Sequence, residues 1–324
     1  MKNTENTFAL TLPDDVMRQY IDASAAFSAC EEALAESARV RGGMYWHKGP
    51  PSAPDQSYLV RTSSSGGEKS LGPRSAETEQ LYQAFVERKN AAGMRLAGLR
   101  DAIARHRRMN RALRVGRVEP IIVELLNRLA ATSLGEHFRV VGTHALYAYE
   151  AGAGVRFDAG ALATRDIDLL WDVRKRVAFS TALRRIDSST LGVLRKVDSS
   201  FRIRDTQKYT AVNKDGFEVD IIRREQTGDD PHPLRLSDDE DDFWVAQAPR
   251  AHALLDSPAF SAVIVASNGD MARMNTLAPL HFVRFKQWMS NLPNRDAGKR
   301  RRDALQATAV EQVVRDYLPQ YASK

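Results

Sequence analysis

The sequence predicts an α+β fold with a helical N-terminal region containing a β-hairpin, a strand-bearing middle with flanking helices, and a helical C-terminal region. Three observations carry this expectation. Helix-forming composition fills Pro13 to Val40 and Ser75 to Leu113. Apolar or alternating runs at Phe138 to Gly142, Arg165 to Trp171 and Phe217 to Ile222 have the pattern of strands. After Pro279 the pattern is helical again, in two segments parted by Asn291-Leu292-Pro293.

Pro13 in the first turn, followed by Asp14 and Asp15, places the start of the first helix, and Gly42-Gly43 stops it. Met44 to Lys48 and Tyr58 to Arg61 are aromatic-rich strands of a small hairpin turned at Gly49-Pro50-Pro51. Thr62 to Ser70 reads as a flexible loop rather than a phosphate-binding P-loop, because Glu68 and not Gly precedes Lys69. Ser75 caps the next helix, for which Gly93 and Gly98 are the candidate breaks. Helices are expected over Val118 to Ala131, Thr143 to Glu150 and Val173 to Ile186. Asn213-Lys214-Asp215-Gly216 turns a tight hairpin. A second hairpin is expected around Ser267-Asn268-Gly269, and the acidic run Asp238 to Asp242 reads as a solvated loop.

A chain of 324 residues suggests two or three domains. With 43% hydrophobic and 27% charged residues, wholesale disorder is excluded. The single cysteine, Cys30, excludes an internal disulfide and any multi-cysteine zinc site. The first residues lack a signal-peptide pattern and no stretch approaches the roughly 18 apolar residues of a membrane span, so a cytoplasmic location without a membrane partner is expected. The formal charge is +6, but the segment from Arg88 to Arg117 alone carries a net +9. Such a concentration suits a polyanionic partner such as RNA, or is a solvated basic face. On a helix from Leu96 to Leu113, Leu96, Leu99, Ile103 and Leu113 form an apolar stripe beside Arg100, Arg107, Arg108 and Arg111, the candidate acceptor-binding residues. Tyr45, Trp46 and Tyr58 of the hairpin are candidates for base stacking or for packing.

Asp166 and Asp168, two apart in a strand, project to one face. Two carboxylates a few ångströms apart repel, so a hard divalent cation is their natural partner. By the same alternation Glu218 and Asp220 share a face of the later strand, and a third carboxylate beside the first pair completes a site for two metals. Oxygen ligands select Mg2+ or Mn2+ over zinc. Such a site suits nucleotidyl transfer from an NTP, one ion lowering the pKa of the attacking hydroxyl and the other neutralising the triphosphate and leaving pyrophosphate. The Gly142-Thr143 turn opens a helix whose free N–H groups and hydroxyl face a phosphate. His144 is a pocket candidate, although a histidine at a helix start more often satisfies a neighbour; Tyr147, Tyr149 and Trp171 read as core or as a base-stacking wall.

Val141-Gly142-Thr143, Asp166-Ile167-Asp168-Leu169 and Val219-Asp220-Ile221 resemble the nucleotidyltransferase superfamily with the polymerase-β-type palm. The resemblance implies a small mixed sheet with flanking helices. Val141 to Glu150 and Lys286 to Ala307 also resemble the bacterial GSU-type nucleotidyltransferase-fold group, over roughly Val118 to Leu318. Thr143 departs from the usual second small residue but keeps a hydroxyl, and the long gap to Asp166 implies an insertion around Gly152 to Gly160. The C-terminal helices are similar to those of AbiEii-type transferases, in which a Lys, an Arg and a later Asp follow the palm. This implies nucleotide binding by Lys286, Arg295 and Lys299, with Asp303 positioning the lysine or the acceptor, whereas Arg300-Arg301-Arg302 reads as a solvated face.

The implied organisation is a basic acceptor-binding region over residues 1–117, the palm over 118–225, and a region over 226–324 that completes the nucleotide site. The implied activity is Mg2+-dependent transfer of an NMP group from an NTP, ATP among them, to RNA such as tRNA or to a protein hydroxyl, with a toxin or defence role by analogy. The alternatives are a catalytically silent nucleic-acid-binding protein on the same scaffold and a small-molecule, antibiotic-type transferase. Three aspartates together favour the enzyme, since an inactive scaffold is relieved of their repulsion by substitution. The large basic N-terminal region disfavours a small acceptor.

Overall fold

The computed structural model describes residues 8–322 except 50, 53, 54, 64, 65, 163, 229 and 231. The architecture is α+β, in two compact units. One unit is Arg18–Met109; the other joins the residues up to Met17 to those from Asn110 onward.

The described chain opens on β1 (Ala9–Thr11) and α1 (Asp14–Arg39). Strands β2 (Gly43–Lys48), β3 (Ser57–Thr62) and β4 (Glu68–Pro73) then form an antiparallel sheet. The expected two-stranded hairpin is therefore corrected to three strands. Glu68 to Ser70, read from composition as loop, pair with β3 because the Gly66-Gly67 turn reverses the chain onto its edge. Pro50 of the expected turn, and Ser64 and Ser65 of the expected loop, lie outside the described residues. Helix α2 (Ala76–Ala112) is continuous over 37 residues. Gly93 and Gly98 do not break it, since the flanking helix formers carry the hydrogen bonding through, and Leu113 falls beyond its end.

The second unit is built on α3 (Pro120–Ala131), β5 (Phe138–Val141), α4 (Leu146–Ala153), β6 (Val155–Phe157), α5 (Ala159–Leu162) and β7 (Asp166–Trp171). Next come α6 (Arg176–Arg185), α7 (Thr190–Arg195), β8 (Arg202–Arg204), β9 (Gln207–Val212), β10 (Glu218–Arg224) and β11 (Ala246–Ala248). The chain ends with α8 (Ala251–Asp256), the hairpin β12 (Ala259–Val265) and β13 (Met271–Leu277), and the pair α9 (Pro279–Ser290) and α10 (Ala297–Tyr317). Six strands form one mixed sheet in the order β5-β7-β10-β9-β8, with β11 beside the C-terminal part of β10. At its centre β7 and β10 run parallel, and β5 and β9 flank them antiparallel. Ile167, Leu169, Val219 and Ile221 are buried in the main core with α3, α4 and the β12–β13 hairpin, which leaves the alternate residues of β7 and β10 on the opposite face.

Residues in the long gap before Asp166 form α4, β6 and α5, and β6 pairs antiparallel with β1. The segment expected as an inserted loop is thus built into the unit, and the first described strand is bound to it. Gly154 ends α4 at φ +68, where a Cβ would also meet Met17 Cε at 1.9 Å. The acidic run needs a correction too. Asp238 to Asp241 are exposed, but Asp242 is buried and accepts hydrogen bonds from the Thr190 and Leu191 backbone N–H groups (3.1 and 3.0 Å) and the Ser237 hydroxyl (2.6 Å), capping α7.

Candidate active site

Parallel pairing of β7 with β10 sets Asp168 beside Asp220 and Asp166 beside Glu218. Each of Asp166, Asp168 and Asp220 offers a carboxylate oxygen, and these oxygens lie within 4.8 Å of one another. The Thr164 hydroxyl donates to Asp166 Oδ1, and the Thr210 hydroxyl to Asp220 Oδ1 at 2.6 Å, so both outer carboxylates are oriented. Glu218 is drawn instead into an ion pair with Arg204. That pairing separates it from the cluster in a way period-2 alternation alone does not reveal.

Desolvation, together with the charges of Asp166 and Asp220, pushes the Asp168 carboxyl up to about 7, against the opposing pull of Lys286 and Arg295. Asp220 is raised as well, again chiefly by burial, while its bond from Thr210 lowers it. Three convergent carboxylates are a donor set that fits a hard divalent cation. With only oxygen donors, Mg2+ or Mn2+ suits them better than zinc.

Strand β5 ends with Val141 opposite Asp168, and the chain turns at Gly142 with φ +68 and ψ −154. The predicted helix from Thr143 begins as a 3-10 turn, Thr143–Ala145, before α4. Thr143 is buried, and its hydroxyl oxygen accepts a hydrogen bond from Gln306 Nε2 at 3.1 Å. His144 is buried too, packed against Tyr147 and Phe217. Desolvation depresses its pKa to about 4, against a hydrogen bond with the Asp166 backbone, so the ring is neutral near pH 7. Tyr149 and Trp171 are fully buried core, the Tyr149 hydroxyl donating to the Leu277 carbonyl at 2.9 Å; Tyr147 is half-buried.

From α9, Lys286 reaches Asp303 Oδ1 at 2.8 Å, and Arg295 reaches Asp303 Oδ2 at 2.5 Å. Asp303 has no exposed surface and Lys286 almost none, and burial lowers the lysine pKa against the pull of Asp303 and Asp168. These three residues form one network whose field reaches Asp168. Lys299 is exposed on the first turn of α10, where its backbone N–H donates to Asp296 Oδ1 at 2.9 Å. Among the described contacts none joins its side chain to the carboxylates. Arg301 is exposed, as expected for a solvated face, while Arg300 and Arg302 are half-buried.

Arg100, Arg107, Arg108 and Arg111 are all exposed on α2. Elsewhere in the basic run Arg95 pairs with Glu36 at 2.5 Å, and Arg117 with the buried Glu150. Sequence reading missed Gln306. The available signal is its place three residues after Asp303 on one helix, which puts both on one face.

Residues 121–324 match the family model described as Nucleotidyltransferase. No curated protein and no solved structure matches the chain. No helix among the described residues is long and apolar enough to cross a membrane.

Proposed function

Since the chain belongs to the nucleotidyltransferase family, we propose that it transfers a nucleoside monophosphate from an NTP to an acceptor, and that the acceptor is RNA. The observation carrying this reading is the convergence of Asp166, Asp168 and Asp220 from two adjacent strands, beside the Gly142-Thr143 turn. In this reading the three aspartates hold divalent metal, which when bound supplies Lewis-acid stabilisation of phosphoryl oxygens. Gly142 lets the backbone approach the phosphates, and the Thr143 hydroxyl donates to one of them. Lys286 and Arg295, with Lys299 from the next turn, meet the negative charge of the triphosphate, and Asp303 fixes the geometry of the first two. Residues 118–225 act as the palm, 226–324 complete the nucleotide site, and the exposed arginines of 1–117 serve the acceptor.

The test incubates the purified chain with each of four labelled NTPs, Mg2+, and total cellular RNA or protein. Label in RNA, lost with Asp168→Asn, is the expected result. Label in protein would move the acceptor to a hydroxyl of a polypeptide. No thermal stabilisation at saturating Mg2+ with any NTP, and no transfer, would favour a silent scaffold.

A further inference from the structure

We propose that Gln306 is a positioning residue that aims the Thr143 hydroxyl at the nucleotide's phosphates, an inference that rests on the reading above. Gln306 lies on α10 with no exposed surface. Its Nε2 donates to two oxygens, the Ala161 carbonyl at 2.7 Å and Thr143 Oγ1 at 3.1 Å. The first contact fixes the orientation of the amide, because a carbonyl only accepts and the reversed amide would set two acceptors against each other. Both Nε2 hydrogens are thereby assigned. The second makes Thr143 Oγ1 an acceptor toward the protein, so its own hydrogen is turned away from Gln306. Thr143 directly follows Gly142, which lies against the Asp168 carboxylate. A hydroxyl held in that way keeps its hydrogen for an acceptor other than Gln306, in a residue that adjoins the Gly142 contact with Asp168, and lacks the rotational freedom of a free threonine.

Gln306 Oε1 is buried with no partner among the described residues, which by itself opposes folding. Apolar packing therefore does not account for the amide; the two bonds it donates do, one satisfying the Ala161 carbonyl and the other turning the Thr143 hydroxyl.

The experiment uses the full chain with Mg2+ and each of the four NTPs, and separately Mg2+ with inorganic tripolyphosphate, by titration calorimetry and thermal melts. Gln306→Met leaves the Ala161 carbonyl without its donor and should lower the melting temperature of the ligand-free protein modestly, without unfolding it. It should weaken binding of all four NTPs, and of tripolyphosphate, by about three- to tenfold, the size of one neutral hydrogen bond. In a Thr143→Val background the same substitution should add no further loss. Equal affinities of wild type and Gln306→Met, or a full further loss in the Thr143→Val background, would overturn the assignment while leaving the nucleotidyltransferase reading intact. Failure of the wild type to bind any NTP or tripolyphosphate would overturn both. Because the melting temperature also carries the lost Ala161 bond, the double-mutant comparison decides, since a purely structural residue loses affinity whether or not Thr143 is present.

Discussion

Gly142 and Asp168 touch so closely that a Cβ on Gly142 would lie 2.0 Å from Asp168 Oδ2. With φ +68 and ψ −154, Gly142 also occupies a backbone region essentially confined to glycine. Gly142→Ala therefore costs about 1 to 3 kcal/mol in backbone strain and, in addition, displaces a metal-site carboxylate. The expected outcome is a lowered melting temperature and loss of the Mg2+-plus-NTP stabilisation expected of the wild type. A variant that melts lower yet keeps the full ligand response would show that Asp168 tolerates the displacement.

The elevated Asp168 carboxyl makes metal binding and stability depend on pH in a defined direction. Because its folded pKa, about 7, exceeds the ordinary 3.8, the metal-free native state holds a proton that the unfolded chain has lost. Its contribution to stability therefore falls as pH rises from about 4 to about 7. Asp168→Asn should remove that decline, so its metal-free stability stays level with or exceeds wild type near pH 7 while transfer is abolished. Mg2+ competes with the same proton. Near pH 7 its binding should release about half a proton from this group, and more at pH 6, measured by calorimetry in buffers of different ionisation enthalpy. Proton release that does not increase toward acid pH would remove Asp168 from the ligand set.

Asp303 holds two cations from a fully buried position, so its charge is the one the network least tolerates losing. Asp303→Asn leaves the buried Lys286 ammonium without its anion and should destabilise by about 3 to 5 kcal/mol. Arg301→Ala, on the exposed face, should stay within about 0.5 kcal/mol. Since burial already holds Lys286 below the ordinary 10.5, the native state sheds its proton before the unfolded state does. Denaturant melts of Asp303→Asn should consequently show stability recovering as pH rises toward 10. Lys286→Ala should weaken NTP binding far more than Arg301→Ala, and equal effects would remove Lys286 from the nucleotide site.

The parts of the fold that follow from short-range periodicity were legible. The Asp166 and Asp168 pair is read from strand alternation, and the β9–β10 hairpin from Asp215-Gly216, where Gly216 has φ +77. What short-range patterns do not encode is which strand a segment finds. Glu68 to Ser70 looked like loop because Ser and Glu follow the Gly66-Gly67 pair and are poor strand formers, and it is pairing with β3 that makes them strand. Glu218 shares the face of Asp220 by alternation, and its ion pair with Arg204 from β8 is a contact that alternation does not reveal. Asp242 sat in an acidic run, and its capping of α7 depends on a contact some fifty residues distant in sequence. The Lys286, Arg295 and Asp303 network was legible through family resemblance alone, since charge spacing on two separate helices does not reveal that they share one buried carboxylate.

The acceptor is tested most directly through the arginines of α2. The aromatic strands are the weaker candidates for RNA contact. Trp46 packs on Tyr82 at 5.9 Å with the Arg74 guanidinium 5.3 Å from its ring centre, and the Tyr45 hydroxyl donates to Glu68 at 2.8 Å, so much of that surface is committed to its own unit. Arg100, Arg107, Arg108 and Arg111 are exposed in contrast, while Leu96 of the intended stripe is buried and Leu99 and Ile103 are half-buried. That division leaves the basic arc of the helix facing solvent. Each phosphate neutralised on a single strand steepens the dependence of log affinity on log salt by about 0.7. Replacing the four arginines together by Gln should flatten the slope for RNA binding by up to about three and slow transfer to RNA. Mg2+-dependent NTP binding should be unchanged, because the substitutions remove no carboxylate and no residue of the Lys286 network. An unchanged salt slope with wild-type transfer rates would make these arginines a solvated face, and the label would then be sought on protein or a small molecule.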